Sequence, residues 1–184
     1  MTSDDRITLA LGEYDIGWHD PAASVAAADR LVERVASVGV DLVVLPEMAT
    51  TGFTMESSRA VSLDSPDVAG LQQIARRHDV WLIAGVAARK NGPQSAAVNA
   101  AIAIDPSGCI RAVHHKRRLF AYSGEDKSYE SGDKITTVEI GGVRIGLFIC
   151  YELRFAEVFA PVANSVDAMV LIANWPSARQ EHWE

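Results

Sequence analysis

The amino-acid sequence predicts an α/β protein in which helices cover layered β-sheet structure with some antiparallel pairing. Segments with the apolar pattern of buried strands alternate with segments whose apolar residues recur at helical spacing. In the middle of the chain, strands follow one another across short turns, as in antiparallel hairpins. The length of 184 residues suits one hydrophobic core. We therefore expect a single domain over residues 1–184.

In the first half of the chain, predicted strands and helices alternate. Arg6–Tyr14 is apolar enough for a buried strand. Pro21–Gly39 follows as a helix, because its apolar residues lie on one stripe, a proline begins it and a glycine ends it. Asp41–Met48 is a short apolar run typical of strands that are buried on both faces. Pro66–His78 predicts the second helix, and Val80–Arg89 predicts the next strand.

The second half of the chain predicts paired strands around a polar loop. Ala96–Lys116 contains two strands joined by a turn at Asp-Pro-Ser-Gly. Arg117–Asp133 is polar and rich in turn residues, so we expect a long loop, and such loops are often functional. Lys134–Cys150 predicts a hairpin that turns at a Gly-Gly pair. Arg154–Ala163 predicts a helix, and Asp167–Trp175 predicts the last strand.

Composition and charge exclude several classes of protein. Hydrophobic residues make up 48% of the chain and charged residues 22%, as in ordinary globular domains. The net charge of -7 provides no basic face for nucleic acid. No apolar run reaches the roughly 18 residues that span a bilayer, and the N-terminus lacks the pattern of a signal peptide. We therefore expect a cytoplasmic protein, without a membrane partner, whose cysteines stay reduced.

Cys150 is a candidate nucleophile because it lies between a predicted strand and a predicted helix. A thiol at such a turn is exposed above the edge of the sheet, and the N–H groups of a helix start favour the thiolate. The ordinary alternative is that a free cysteine is a small buried hydrophobic residue, and position alone favours it. We apply that alternative to Cys109, which follows a turn without chemical partners.

Two polar residues at the ends of predicted strands are candidate partners of Cys150. Glu47 follows a buried run, and Lys116 ends a strand. If these strands run parallel, the three side chains converge at the carboxyl edge of a sheet, where α/β proteins bind ligands. They would supply a nucleophile, a base and a cation for a developing oxyanion. Taken singly, the glutamate could cap a loop and the lysine could be a solvated charge.

Four segments resemble, in order and spacing, the signature blocks of the nitrilase superfamily, the carbon–nitrogen hydrolases. They are LVVLPEMATTGF, HKRRLF with GEDKSYESGD, GLFICYELRF, and LIANWPSARQEHW. The second and fourth resemble the omega-amidase branch in particular, whose members hydrolyse the side-chain amide of 2-oxoglutaramate. The resemblance implies an α-β-β-α sandwich, no metal or cofactor, and a homodimer or larger assembly. Because family domains are longer, it also implies that the C-terminal part of the fold is missing from this chain.

The same resemblance implies catalytic roles for four residues. Glu47 matches the family's base, Cys150 its nucleophile and Lys116 its lysine. Glu125, in the polar loop, matches a second glutamate that positions the lysine or the substrate. The backbone N–H of Tyr151 would join Lys116 in an oxyanion hole.

Other residues near this predicted site carry two interpretations each. Trp175 and Phe53 could line the substrate pocket or fill space between the layers, and Tyr122 could close over the substrate. Arg154 could contact a substrate carboxylate, but we favour a structural role in which it ties its helix to a neighbouring acidic side chain. His114 and its neighbour in the chain face opposite sides of a strand, so both are expected to be structural.

Three functions are compatible with these residues. The first is a thiol amidohydrolase that uses water to convert a small omega-amide to carboxylate and ammonia through a thioester. The second is another activity of the superfamily, such as a nitrilase, a carbamoyl-amide hydrolase or a deaminated-glutathione amidase. The third is a catalytically inactive binding or assembly protein, which the short chain favours and the intact catalytic residues disfavour. A redox thiol fits least, since the chain has no Cys-x-x-Cys motif.

Overall fold

Two β-sheets that pack face to face form the centre of the computed structural model, which describes residues 6–182. The larger sheet contains, in spatial order, β1 (Leu9–Leu11), β2 (Leu42–Val44), β3 (Trp81–Arg89), β4 (Ala97–Ile104) and β5 (Ile110–His115). The smaller sheet contains, in spatial order, β6 (Thr136–Ile140), β7 (Val143–Ile149) and β8 (Ala168–Ile172). One hydrophobic cluster fills the space between the two sheets.

The strand directions bring several strand ends to one edge. β1, β2 and β3 run parallel, and β4 is antiparallel to both β3 and β5. β5 therefore runs in the same direction as β2. In the smaller sheet, β7 is antiparallel to β6 and parallel to β8. The carboxyl ends of β2 and β5 consequently lie at the same edge, as the positions of Glu47 and Lys116 in the sequence predict.

Two long helices cover the outer face of the larger sheet. α1 (Pro21–Ala36) and α2 (Pro66–His78) bury their apolar stripes in a second hydrophobic cluster. Asp20 caps α1 and Ser65 caps α2, because each side chain accepts a backbone N–H of the first turn. No helix within residues 6–182 is long and apolar enough to cross a membrane.

Short helices complete the layers. α3 (Glu125–Ser128) lies in the polar segment after β5, and α4 (Ala156–Phe159) follows β7. α4 packs on the outer face of the smaller sheet, where the rings of Phe159 and Phe148 lie 4.3 Å apart. The predicted α-β-β-α order of layers is therefore confirmed.

Three elements differ from the prediction. The predicted first strand is shorter and is not buried: Leu9 is 44% and Leu11 is 78% exposed, because β1 is an edge strand outside the core between the sheets. The predicted loop 117–133 contains a 3₁₀ turn as well as α3. The helix predicted over 154–163 is replaced by a 3₁₀ helix, Cys150–Arg154, and the single turn of α4.

Candidate active site

Four predicted residues converge at one end of the interface between the two sheets. Glu47 follows β2, Lys116 follows β5, Cys150 follows β7, and Glu125 begins α3. The side chains of both glutamates and of Lys116 are fully buried, and Cys150 is 6% exposed. Segments that are far apart in the chain thus place a thiol, an ammonium and two carboxylates together.

Lys116 lies between the two carboxylates. Its Nζ is 2.8 Å from Oε1 of Glu47 and 3.1 and 3.0 Å from the two oxygens of Glu125. The ring of Phe53 covers the ammonium at 5.4 Å. Burial by itself lowers the pKa of Lys116, but the two carboxylates more than offset this effect and raise it overall. The side chain is therefore a cation near neutral pH.

Asn99, which is not among the predicted site residues, ties the two glutamates together. It lies on β4, is fully buried, and donates from Nδ2 to Oε1 of Glu47 and to Oε1 of Glu125, at 2.7 Å each. Its own Oδ1 has no hydrogen-bond partner in the described part of the chain. The available signal in the sequence was one amide in an apolar strand, AVNAA.

The segment that carries Glu47 is held closely against β3. A Cβ on Gly85 would lie 2.4 Å from the nitrogen of Met48 and 2.5 Å from Cα of Glu47, so only glycine permits this approach. On the other side, Oε2 of Glu47 accepts the backbone N–H of Asn174, just after β8, at 3.0 Å. Both carboxylate oxygens of Glu47 are therefore fixed by hydrogen bonds.

Cys150 is held in a left-handed backbone conformation at the start of the 3₁₀ helix. Its φ is +49°, a conformation that costs a non-glycine residue on the order of 1–3 kcal/mol. The buried carboxylate of Glu152 stabilises this turn, because it accepts the N–H of Ile149 at 2.6 Å and the N–H of Arg117 at 2.9 Å. Nε2 of His114 lies 3.1 Å from the same carboxylate. His114 is thus structural, as predicted, whereas the role of Glu152 was not foreseen.

The surroundings of Cys150 favour the neutral thiol form of its side chain. Burial raises the pKa of Cys150, the carboxylate of Glu47 raises it further, and the opposing effect of Lys116 is smaller. The pKa of Cys150 thus shifts in the direction opposite to the one that a helix start alone would give. Glu47 is the carboxylate that acts most strongly on this thiol, so a potential proton acceptor lies close to the sulfur.

A cavity of about 350 Å³ opens beside Cys150. Its lining includes every residue predicted to contact substrate, namely Phe53, Tyr122, Tyr151 and Trp175, together with Phe120, Asn174 and Pro176. Tyr122 is 89% exposed, so it lies at the rim. Trp175 lines the cavity and also packs against the cluster between the sheets, so the two positions considered for it are compatible.

Two arginines complete the lining of this cavity. Arg154 has an exposed side chain and lines the cavity, and no carboxylate within residues 6–182 provides the predicted structural tie. Arg179, in the segment after β8, was not predicted as a site residue. The cavity therefore presents two cations close to the nucleophile.

Comparisons with known proteins agree with this geometry. The carbon–nitrogen hydrolase family matches residues 8–184. The chain is 34% identical over 178 residues to omega-amidase YafV of Escherichia coli, covering 97% of this chain and 67% of the relative. It is 36% identical over 168 residues to a 2-oxoglutaramate amidase of Paenarthrobacter nicotinovorans, covering 84% and 57%. The chain thus spans about two thirds or less of the length of these relatives.

Solved structures show the same fold. XC1258 of Xanthomonas campestris, a CN-hydrolase superfamily protein with an arsenic adduct in its active site, superposes with a TM-score of 0.86 at 32% identity, over 96% of this chain and 68% of that one. Nit3 of Saccharomyces cerevisiae, at 23% identity and a TM-score of 0.83, shares the fold over 96% of this chain and 68% of its own. By sequence and by fold, this chain belongs to the carbon–nitrogen hydrolase family.

Proposed function

We propose that this chain is a thiol amidohydrolase that converts the omega-amide of a small keto or amino acid, such as 2-oxoglutaramate, to carboxylate and ammonia. The observation that carries the proposal is the Cys150 thiol next to the buried ion pair of Glu47 and Lys116, with a cavity of about 350 Å³ in front. The relatives named omega-amidase and 2-oxoglutaramate amidase support the substrate class.

In the first half-reaction, an acyl group passes to the thiol. Glu47 accepts the proton of Cys150 as the sulfur attacks the amide carbon, and a C–S bond forms. The carbonyl oxygen becomes an oxyanion, which Lys116 and the backbone N–H of Tyr151 stabilise. Tyr151 lies in the first turn of its helix, where N–H groups have no acceptor within the helix. Glu47 then protonates the leaving nitrogen, the C–N bond breaks, and ammonia departs.

In the second half-reaction, water releases the acid. Glu47 accepts a proton from water as its oxygen attacks the thioester carbon, and the same donors stabilise the second oxyanion. The C–S bond breaks, the carboxylic acid leaves, and Glu47 returns its proton to the sulfur. No oxidant or reductant is required. Glu125 accepts a hydrogen bond from Lys116, and Asn99 donates to both glutamates. These contacts hold Lys116 and Glu47 in place for both steps.

The test is ammonia release from 2-oxoglutaramate by the purified chain and by Cys150→Ala, with Cys109→Ala as the matched control. Cys109 is exposed and lies outside the site. We expect activity in the native chain and in Cys109→Ala, and none in Cys150→Ala. Equal activity in Cys150→Ala would remove the proposed nucleophile. Folded protein without activity on this or any related omega-amide would favour the binding or assembly alternative.

The homodimer implied by the family resemblance and the cytoplasmic location expected from the sequence remain predictions. Sedimentation velocity tests the first, with a species of twice the mass of one chain as the expected result. Fractionation of cells that express the protein tests the second.

A further inference from the structure

The carboxylate of Glu152 joins the two sheets at the end where the proposed catalytic groups lie. Its Oε2 accepts the N–H of Ile149, the last residue of β7, at 2.6 Å. Its Oε1 accepts the N–H of Arg117, the second residue after β5, at 2.9 Å. Ile149 directly precedes Cys150. Arg117 directly follows Lys116. One carboxylate therefore fixes the chain beside the nucleophile to the chain beside the proposed oxyanion donor.

This buried carboxylate depends on hydrogen bonds rather than on a lysine or arginine. Glu152 is fully buried, and the side chain that pairs with it within residues 6–182 is the equally buried His114. Two backbone N–H groups and one imidazole nitrogen thus face its two oxygens. A carboxylate in an apolar interior that loses one of its donors is left partly unsatisfied, at a high cost in free energy. The contact with His114 therefore matters more here than it would at the surface.

The surroundings of His114 determine which of its nitrogens carries the proton. Nε2 lies 3.1 Å from Oε2 of Glu152, whereas the buried Nδ1 has no hydrogen-bond partner within residues 6–182. An imidazolium would leave the N–H at Nδ1 without an acceptor, and the opposite neutral tautomer would turn a lone pair towards the carboxylate. The ring of Phe148, at 6.2 Å, adds no polar group. The contacts therefore favour a neutral imidazole that donates from Nε2 to Glu152.

We propose that His114 is a positioning residue for the reaction, which acts through Glu152 on the placement of Cys150 relative to Lys116. This inference rests on the proposed function and adds a residue behind its nucleophile. Neither His114 nor Glu152 lines the cavity, so neither contacts a substrate bound there. A misplacement of about 1 Å between reacting groups lowers a rate about 100-fold. Loss of the donor at Nε2 should therefore reduce kcat, while binding of the substrate in the cavity is kept.

The experiment measures kcat and KM for 2-oxoglutaramate in His114→Gln, His114→Asn and His114→Leu, with kcat referred to the folded fraction given by circular dichroism. The amide nitrogen of glutamine reaches the position of Nε2, that of asparagine reaches only the position of Nδ1, and leucine has no donor. We expect His114→Gln to keep kcat within about 3-fold of the native value, and the other two variants to lose about 10- to 100-fold. KM should stay within about 3-fold in all three. The control is His115→Gln, on the opposite face of β5, which should change neither constant.

The outcomes separate this inference from the proposed function. If His114→Asn is as active as His114→Gln, or if His114→Gln loses as much kcat as His114→Leu, the positioning role is refuted while the amidase stands. A rise in KM with unchanged kcat would refute it as well. If the native chain releases no ammonia, the proposed function fails, and alkylation of Cys150 by iodoacetamide in a Cys109→Ala background then tests the positioning alone. His114→Asn should react at least about 10-fold faster than the native chain, because the turn that buries the sulfur loosens, and His114→Gln should restore the native rate. Equal rates in all variants would overturn the proposal.

Discussion

Replacement of Lys116 by methionine tests whether one ammonium allows two carboxylates to remain in the core. Nζ of Lys116 contacts Glu47 at 2.8 Å and Glu125 at 3.0 Å, and all three side chains are fully buried. Methionine fills a similar volume without charge. The variant therefore keeps the packing. It leaves two buried carboxylates that repel each other with no ammonium between them.

The expected cost follows from the number of charges left unpaired. Removing one partner of a buried ion pair destabilises a protein by about 3–5 kcal/mol. Because Lys116 serves two carboxylates, we expect Lys116→Met to lose about 5 kcal/mol, the upper end of that range. In the double variant Lys116→Met, Glu125→Gln, only Glu47 remains charged, so about half of the loss should be recovered.

Urea unfolding followed by tryptophan fluorescence gives the free energies, and ammonia release gives the activity in parallel. Activity should fall at least about 100-fold in both variants, because each lacks a donor to the oxyanion. Lys127→Met, on the exposed side of α3, is the matched control and should change stability by less than about 0.5 kcal/mol. The reasoning is refuted if Lys116→Met unfolds within about 1 kcal/mol of the native chain, or if Glu125→Gln adds to its loss.

Three further predictions concern the groups around this ion pair. Stability should fall as pH rises from about 9 to 10. Cys150 contributes at most about 1.4 kcal/mol per pH unit to this slope, and Cys150→Ala should show a correspondingly smaller slope. The sign follows because the raised pKa keeps a proton on Cys150 in the folded state that the unfolded chain releases; a native chain with no slope would contradict it. Glu152→Gln should cost about 3 kcal/mol and lower kcat, since it weakens the pair with His114 and the acceptors that hold the nucleophile's turn. If neither the free energy of unfolding nor kcat changes, Glu152 does not hold this turn in place. Asn99→Leu should cost about 2–4 kcal/mol by urea unfolding, because two hydrogen bonds to carboxylates are lost and one unpartnered oxygen is removed. Asn99→Asp should cost more than Asn99→Leu, although it is the closer isostere, and the reverse order would contradict a donor role.

Glu47, Lys116 and Cys150 could be predicted because each leaves a local mark. Each comes just after the end of a strand. The pairing of strands then determines whether such ends meet, and here β2 and β5 run in the same direction. Side chains at strand ends are therefore the part of a site that sequence patterns report best.

Asn99, Glu152 and Arg179 leave no such mark, because their importance depends on partners that are distant in the sequence or on packing. Asn99 lies within an apolar strand, and its carboxylate partners are 52 and 26 residues away. Glu152 lies two residues after Cys150, but its structural role depends on the N–H groups that it accepts from two different segments. Arg179 lies in the lining of the cavity, where its guanidinium packs over two aromatic rings. The length of the helix after Cys150 was overestimated, because α4 ends at Phe159, two residues before Pro161.

The most direct measurement is the mass of the chain when turnover of 2-oxoglutaramate is stopped rapidly with acid. A thioester mechanism predicts a transient adduct whose mass equals the substrate minus ammonia, located by peptide mapping on Cys150 and absent from Cys150→Ala. Ammonia release without any such adduct, or an adduct on Cys109 instead, would contradict the assignment of Cys150 as the nucleophile.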